Sequence, residues 1–166
     1  YIPAHGRVVL DGPLYEQLTR QAPCIIGTKT NGDDPQLLVS PIAGPRHSHF
    51  AGEQNLAAAA RLGALGCYSS LAGISMPFMK NWWSLIEQQR WTEAQEVQQR
   101  VERFYQQGVQ PIRDRGILAG SIDKAMAQIG GAVGTRLVRP PYPSVPVDLF
   151  EGLAQAAHDH LNANEL

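Results

Sequence analysis

The sequence predicts an α/β fold with a parallel sheet, followed by a helical C-terminal block. Three short apolar runs are each followed by a helix-like segment, which is the pattern of βα units. From Ser75 onward the signals are helical almost to the end of the chain. With 166 residues, 43% apolar and 17% charged, the chain can bury a sizeable core and does not have the composition of a disordered protein.

The first half of the chain supplies the predicted strands. A helix over residues 11–20 has Leu14 and Leu18 one turn apart, and it stops at Ala22 and Pro23. Two β-branched isoleucines followed by turn residues predict a buried strand after it. Two more strands, a helix start and an alanine-rich helix complete this half. The three strands are expected over residues 24–29, 47–51 and 64–70, the helix start at 33–35 and the alanine-rich helix at 55–62.

The second half reads as helices and one extended segment. Ser75 before a proline predicts a helix start, residues 92–95 have the form of a capping box, and Ser121 is expected to open a further helix. The prolines in residues 139–143 predict an extended linker. A last helix is expected over residues 147–161.

Net charge argues against two classes of partner. The 14 basic and 15 acidic side chains leave a charge of −1, whereas proteins that bind nucleic acid or anionic membranes normally have a basic excess. The longest stretch of low charge, residues 55–78, contains Arg61, glycines and a proline, so it does not predict a membrane span. We expect a cytoplasmic protein with neither nucleic acid nor membrane among its partners.

The cysteines and histidines do not predict a metal site. Cys24 and Cys67 are lone cysteines in apolar runs, which is typical of reduced core residues. His47 and His49 would share one face of a strand, as two metal ligands do, but no third ligand with matching spacing accompanies them. We therefore expect hydrogen-bonded or solvent-facing histidines and no metal.

Lys29 is the strongest candidate for chemistry, since it closes an otherwise apolar strand. Catalytic groups in parallel α/β folds are mounted at the C-terminal ends of strands. Partial burial disfavours an ammonium and leaves a neutral amine that can attack a carbonyl. The residues alone leave a second interpretation open, in which Lys29 extends from the strand end to water.

Polar residues also follow the other two strands. Gly52, Glu53 and Gln54 end the second strand, where a glycine lets a ligand approach the backbone and the side chains could orient hydroxyls. An ordinary strand-to-helix turn explains the same residues. Ser69 and Ser70 end the third predicted strand and could bind a polar ligand.

Together, these segments resemble the dihydrodipicolinate synthase/N-acetylneuraminate lyase family, the Schiff-base-forming pyruvate aldolases with a (β/α)8 TIM barrel. The similar segments, in family order, are IIGTK at 25–29, FAGEQ at 50–54 and LGALGCYSS at 62–70. Lys124-Ala125-Met126, Gly130 or Gly131, and RPPY at 139–142 are similar to the family's C-terminal signature, and YIPA at 1–4 resembles its tyrosine-to-proline segment after the fifth strand.

The resemblance implies a lyase and a role for each matched residue. Lys29 would form an imine with pyruvate or another 2-keto acid for aldol cleavage, condensation or dehydration, with no cofactor because the imine is covalent. Tyr1 would carry protons, and Tyr68 would offer its backbone carbonyl to the pyruvyl group. The other substrate-binding positions implied are Gly52, Glu53, Gln54 and Ser70.

The resemblance also implies an architecture. The chain would be the second half of the barrel, about strands five to eight, within residues 1–74, with the last barrel helix and a C-terminal helical region in residues 75–166. Family members are longer, and their first half carries the loop that holds the pyruvate carboxylate. We therefore expect a missing N-terminal half-barrel as a partner, and a homo-oligomer as in relatives.

Two departures from the family narrow the activity. Tyr1 stands one residue closer to Pro3 than the family's tyrosine does to its proline, and His5 occupies the place of an arginine that grips a substrate carboxylate in dihydrodipicolinate synthases. We therefore expect a different 2-keto-acid aldolase or dehydratase. The alternative is a catalytically inactive metabolite-binding or assembly domain of the same fold.

Overall fold

The computed structural model describes residues 12–30 and 48–162, which belong to two compact units, Tyr1–Tyr68 and Ser69–Leu166. The first unit holds the strands and the second is helical. The elements of the first unit are helix α1 (Gly12–Gln21), strand β1 (Gly27–Thr30), strand β2 (Ser48–Gly52), a 3-10 turn (Glu53–Asn55), helix α2 (Leu56–Arg61) and strand β3 (Gly66–Tyr68). The predicted division at residue 74 stays a prediction.

The three strands form one parallel sheet in the order β1-β2-β3, as the βα pattern predicts. Lys29 lies opposite Phe50, which in turn lies opposite Gly66. Two residues further toward the C-terminal ends of these strands, Gly52 of β2 lies opposite Tyr68 of β3. This register fixes which side chains share a face, because successive side chains of a strand point to opposite faces.

The two faces of the sheet differ in burial. His49 and Ala51 alternate with Phe50 along β2, and both are buried whereas Phe50 is half-buried. Helix α2 contacts β2 and buries apolar side chains of its own, namely Leu56, Ala57 and Ala59. The sheet face of Lys29 and Phe50 is therefore the one that α2 does not cover.

The first predicted strand begins too early in the chain. Pairing starts where the Ile26 carbonyl accepts the Ser48 N–H at 2.9 Å, and the preceding residues lie in a turn. Cys24 is exposed and Ile26 is 71% exposed. The prediction that Cys24 is a core residue is wrong, because an apolar run is buried only where a neighbouring strand or helix covers it.

The third predicted strand ends two residues too late. The Ser69 hydroxyl accepts the Leu71 N–H at 3.1 Å, and this local cap starts the 3-10 turn Ser70–Gly73. A serine that bonds its own neighbouring backbone draws the chain away from the sheet. Ser70 therefore lies in a turn of the second unit and not on a strand.

The second unit packs its helices around large apolar side chains. Its helices are α3 (Met76–Glu87), α4 (Trp91–Phe104), α5 (Gln110–Asp114), α6 (Ala119–Ile129) and α7 (Val147–His160), with a π turn (Tyr105–Val109) between α4 and α5. Its largest fully buried side chains are Leu71, Phe78, Trp82, Val101, Phe104, Val109, Ile112, Met126, Val145 and Leu153. The second unit thus has an apolar core of its own.

The helix starts confirm one cap and correct two. Ser75 caps α3, and its hydroxyl accepts the Phe78 N–H at 3.2 Å. The capping box at 92–95 is wrong, because α4 begins at Trp91, one residue after Arg90. Ser121 is buried inside α6 instead of opening it. The helices predicted at 11–20, 55–62 and 147–161 are confirmed within a few residues, whereas the helix start at 33–35 lies outside the described residues.

Candidate functional site

Lys29 lies near the C-terminal end of β1, on the sheet face that α2 leaves uncovered. Its side chain is half-buried, and its Nζ lies 5.5 Å from the centre of the Tyr68 ring. The Tyr68 ring meets the Phe50 ring edge to face, with the centres 5.4 Å apart and the planes at 73°. The candidate nucleophile thus lies beside an aromatic pair contributed by β2 and β3.

A glycine in β3 makes room for this aromatic pair. Gly66 lies opposite Phe50, and a Cβ at Gly66 would come within 3.1 Å of two carbons of the Phe50 ring. The absence of a side chain therefore lets the Phe50 ring lie across β3 toward Tyr68. Phe50 is not among the residues predicted from the sequence, although a glycine among apolar strand residues is a known sign of close approach.

The predicted substrate-binding residues at the end of β2 and just after it lie where the strands have their C-terminal ends, as Lys29 does. Gly52 is buried at the end of β2 and faces Tyr68 across the sheet. Glu53 is only 6% exposed, and Gln54 is half-buried in the 3-10 turn that follows. A carboxylate is seldom buried at an ordinary strand-to-helix turn, so the burial of Glu53 favours a specific role over a solvated helix start.

The charges of Glu53 and Lys29 both act on the pKa of the Cys67 thiol. Burial, and then the charge of Glu53, raise the pKa of the Cys67 thiol to about 12, while the charge of Lys29 acts in the opposite direction. Both charged groups therefore lie close enough to act on one thiol. A thiol with such a high pKa stays protonated at physiological pH, so Cys67 is not a nucleophile here.

The remaining predicted residues lie elsewhere. Ser70 is half-buried in the 3-10 turn of the second unit, and Tyr1 lies outside the described residues. His49 is buried and shares a hydrogen bond of 2.5 Å with the Thr28 hydroxyl. Its partner in the considered metal pair, His47, also lies outside the described residues.

Within residues 12–30 and 48–162, no helix is long and apolar enough to cross a membrane, and no three side chains of the metal-ligating types lie together. The expectations about metals, cofactors, nucleic acid and membranes stay predictions.

The fold is that of dihydrodipicolinate synthase and N-acetylneuraminate lyase proteins. YagE, a dihydrodipicolinic acid synthase family prophage protein from E. coli K12 solved in complex with pyruvate, superposes with a TM-score of 0.76 and 19% identity over 96% of this chain and 54% of its own. The sialic acid aldolase of Ruminococcus gnavus gives 0.72 and 22% over 99% and 54%. The N-acetylneuraminate lyase of Fusobacterium nucleatum complexed with pyruvate gives 0.71 and 22% over 93% and 51%.

These comparisons confirm at the level of fold the resemblance seen in the sequence. The chain spans about half the length of the solved structures it matches. No family model and no curated protein matches it. At these identities the agreement concerns architecture, and the activity has to be argued from the residues of this chain.

Proposed function

We propose that the protein is a lyase of the aldolase type in which Lys29 forms a Schiff base with pyruvate or another 2-keto acid. The reaction would be aldol cleavage, condensation or dehydration. The observation that carries this proposal is the placement of Lys29 near the C-terminal end of a parallel strand, on the sheet face that α2 does not cover. That is the edge where parallel α/β folds mount their catalytic groups.

The structural relatives support the same chemistry. Two of them were solved with pyruvate, and one structure of the Ruminococcus gnavus aldolase is described as its catalytic lysine mutant, with a TM-score of 0.70 and 20% identity to this chain. Lys29 is the lysine of this chain that lies on a described strand, since Lys80 lies in helix α3 and Lys124 in helix α6.

The chemistry starts with the neutral amine of Lys29. Its lone pair attacks the keto carbon, the carbonyl electrons move to the oxygen, and the oxygen gains a proton while the nitrogen loses one, which gives a neutral carbinolamine. A second proton on the hydroxyl lets it leave as water and gives an iminium, which accepts the electrons of a C–C or C–H bond that breaks at the carbon next to the iminium carbon. Tyr1 remains the predicted proton carrier for the oxygen, and Glu53 and Gln54 are the candidates for contacting the hydroxylated end of the substrate.

A closed barrel would complete this site. Among the described strands, β1 and β3 each pair with one neighbour only, and unpaired edges of a parallel sheet expose backbone hydrogen-bonding groups. We propose that β1, β2 and β3 belong to the second half of a TIM barrel, whose other strands, the predicted N-terminal half-barrel, lie outside the described residues. The homo-oligomer and the cytoplasmic location stay predictions.

Exchange of the pyruvate methyl protons tests the proposed function without knowledge of the aldehyde. An iminium at the keto carbon labilises these protons, so the protein in D2O should exchange them for deuterium, and proton NMR follows the loss of the methyl signal. Lys29→Arg should reduce the exchange to the uncatalysed rate, because a guanidinium stays protonated and cannot attack a carbonyl.

Lys80→Arg is the matched control, since Lys80 is exposed on α3 and its replacement should leave the exchange rate unchanged. Exchange by the Lys29→Arg protein at the wild-type rate would overturn the assignment of Lys29. Absence of exchange in the wild-type protein would favour the inactive metabolite-binding domain.

A further inference from the structure

We propose that Tyr68 is a positioning residue for Lys29, whose side chain the Tyr68 ring holds in place through a cation–π contact. The consequence for catalysis rests on the proposed function, whereas the contact itself does not. The family resemblance implies a role for the Tyr68 backbone carbonyl, and this proposal concerns the ring instead.

The contact has the geometry of a cation–π interaction. The Lys29 Nζ lies 5.5 Å from the centre of the Tyr68 ring, within the limit of about 6 Å at which an ammonium is attracted by a ring face. The edge-to-face contact with Phe50 fixes the plane of the Tyr68 ring. Tyr68 is 58% exposed, so the contact does not arise from close packing in a core.

Such a contact acts in two ways on a nucleophilic lysine. It limits the positions of a flexible four-carbon side chain, and it stabilises the ammonium relative to the neutral amine. The amine would then be released for attack only when a proton acceptor or the keto acid shifts the balance. The ring therefore limits how readily the amine of Lys29 reacts.

The other titratable groups near Lys29 on the described strands are the same in every variant of Tyr68. Glu53 follows β2, and its charge raises the pKa of the Cys67 thiol, whereas the charge of Lys29 lowers it. His49 is on the opposite face of the sheet, bonded to Thr28. A change in the ring at Tyr68 therefore isolates the contribution of the ring.

The test measures the reactivity of Lys29 with trinitrobenzenesulfonate across a pH series, with peptide mass mapping and no keto acid present. In Tyr68→Leu, which keeps apolar cover but removes the ring, the labelling of Lys29 at a fixed pH should rise roughly 2- to 5-fold. Tyr68→Phe should label as the wild-type protein does, and Tyr68→Trp should label less because indole binds cations best.

Tyr142→Leu is the matched control, because Tyr142 is 57% exposed and the same substitution there should not change Lys29 labelling. Circular dichroism confirms that each variant is folded. Unchanged labelling of Lys29 in both the Leu and Trp variants would overturn the proposal, as would a Phe variant that behaves like Leu, since the hydroxyl would then be responsible.

Failure of the proposed function is distinguishable from failure of this inference. If labelling follows the ring but pyruvate methyl exchange does not occur, the positioning role stands and the aldolase chemistry is wrong. If exchange depends on Lys29 but labelling ignores the ring, the aldolase proposal stands and the positioning role is wrong.

Discussion

Replacement of Gly130 by alanine should be the most damaging change among the three glycines that follow helix α6. Gly130 has an ordinary backbone conformation, with φ −78° and ψ 0°, which any residue can adopt. A glycine is needed there because a side chain has no room. A Cβ there would point at the carbonyl oxygens of Gly73 and Ile74, and it would lie 2.6 Å from the Ile74 oxygen. Both oxygens belong to the backbone, which cannot turn away as a flexible side chain can.

The expected loss of stability follows from how closely the added Cβ would approach the two carbonyl oxygens. Real Cβ atoms essentially never come closer than 3.0 Å, so the Ile74 carbonyl must retreat by at least 0.4 Å, the difference between 3.0 and 2.6 Å. The Gly73 carbonyl, which is nearer, must retreat further. Overpacking of this kind costs about 1–3 kcal/mol, and more when backbone must move. We expect Gly130→Ala to lose about 3 kcal/mol of unfolding free energy.

Two neighbouring glycines are matched controls for Gly130. Gly131 has φ +75° and open space around it, so Gly131→Ala should cost about 1–2 kcal/mol through left-handed strain alone. Gly134 has open space and no positive φ, so Gly134→Ala should change stability by less than about 1 kcal/mol. Urea unfolding followed by circular dichroism ranks the three variants, and a Gly130→Ala protein as stable as Gly134→Ala would refute the close approach.

Three further predictions concern the thiols, the tryptophans and the substrate. Folding raises the pKa of the Cys67 thiol from 9.0 to about 12, so between these pH values the thiol loses its proton in the unfolded protein only. The free energy of unfolding should therefore be unaffected below pH 9 and should fall by about 1.4 kcal/mol per pH unit from pH 9 to pH 12, measured by urea unfolding against Cys67→Ala. Trp82→Phe should lower the free energy of unfolding by about 2–3 kcal/mol, because Trp82 is fully buried and donates a hydrogen bond to the Ala94 carbonyl at 3.0 Å. Trp83→Phe should lower it by less than about 1 kcal/mol, because the hydrogen bond of Trp83 to Glu87 is exposed. Thermal unfolding of both variants measures the difference. With His5 in place of an arginine, condensation of pyruvate with aspartate semialdehyde should be inefficient in a steady-state assay, and efficient turnover would contradict this.

The parallel sheet could be predicted from the sequence, but the ends of its strands could not. Repeated apolar runs followed by helical segments give the parallel sheet, and Ser75 gives the start of α3. The first and third strands differ from the prediction because hydrophobicity alone does not say which residues a neighbour covers. Ile26 is exposed, and the Ser69 hydroxyl ends the third strand by a local hydrogen bond.

The candidate site could be predicted only in part for a related reason. The position of Lys29 near the C-terminal end of a strand was predictable, whereas its chemical role stays a prediction. The aromatic pair beside it was not, because the contact of Phe50 with Tyr68 depends on the register that places Gly66 opposite Phe50. Register between strands is set by contacts far apart in the chain, and a single sequence does not display them.

The most direct test of the central claim is to trap the imine. The protein is incubated with pyruvate, reduced with borohydride and digested, and the modified peptide is identified by mass spectrometry. We predict that the adduct lies on Lys29 and that it is absent without pyruvate. An adduct on Lys80 or Lys124, or no adduct at all, would contradict the claim that Lys29 is the Schiff-base lysine.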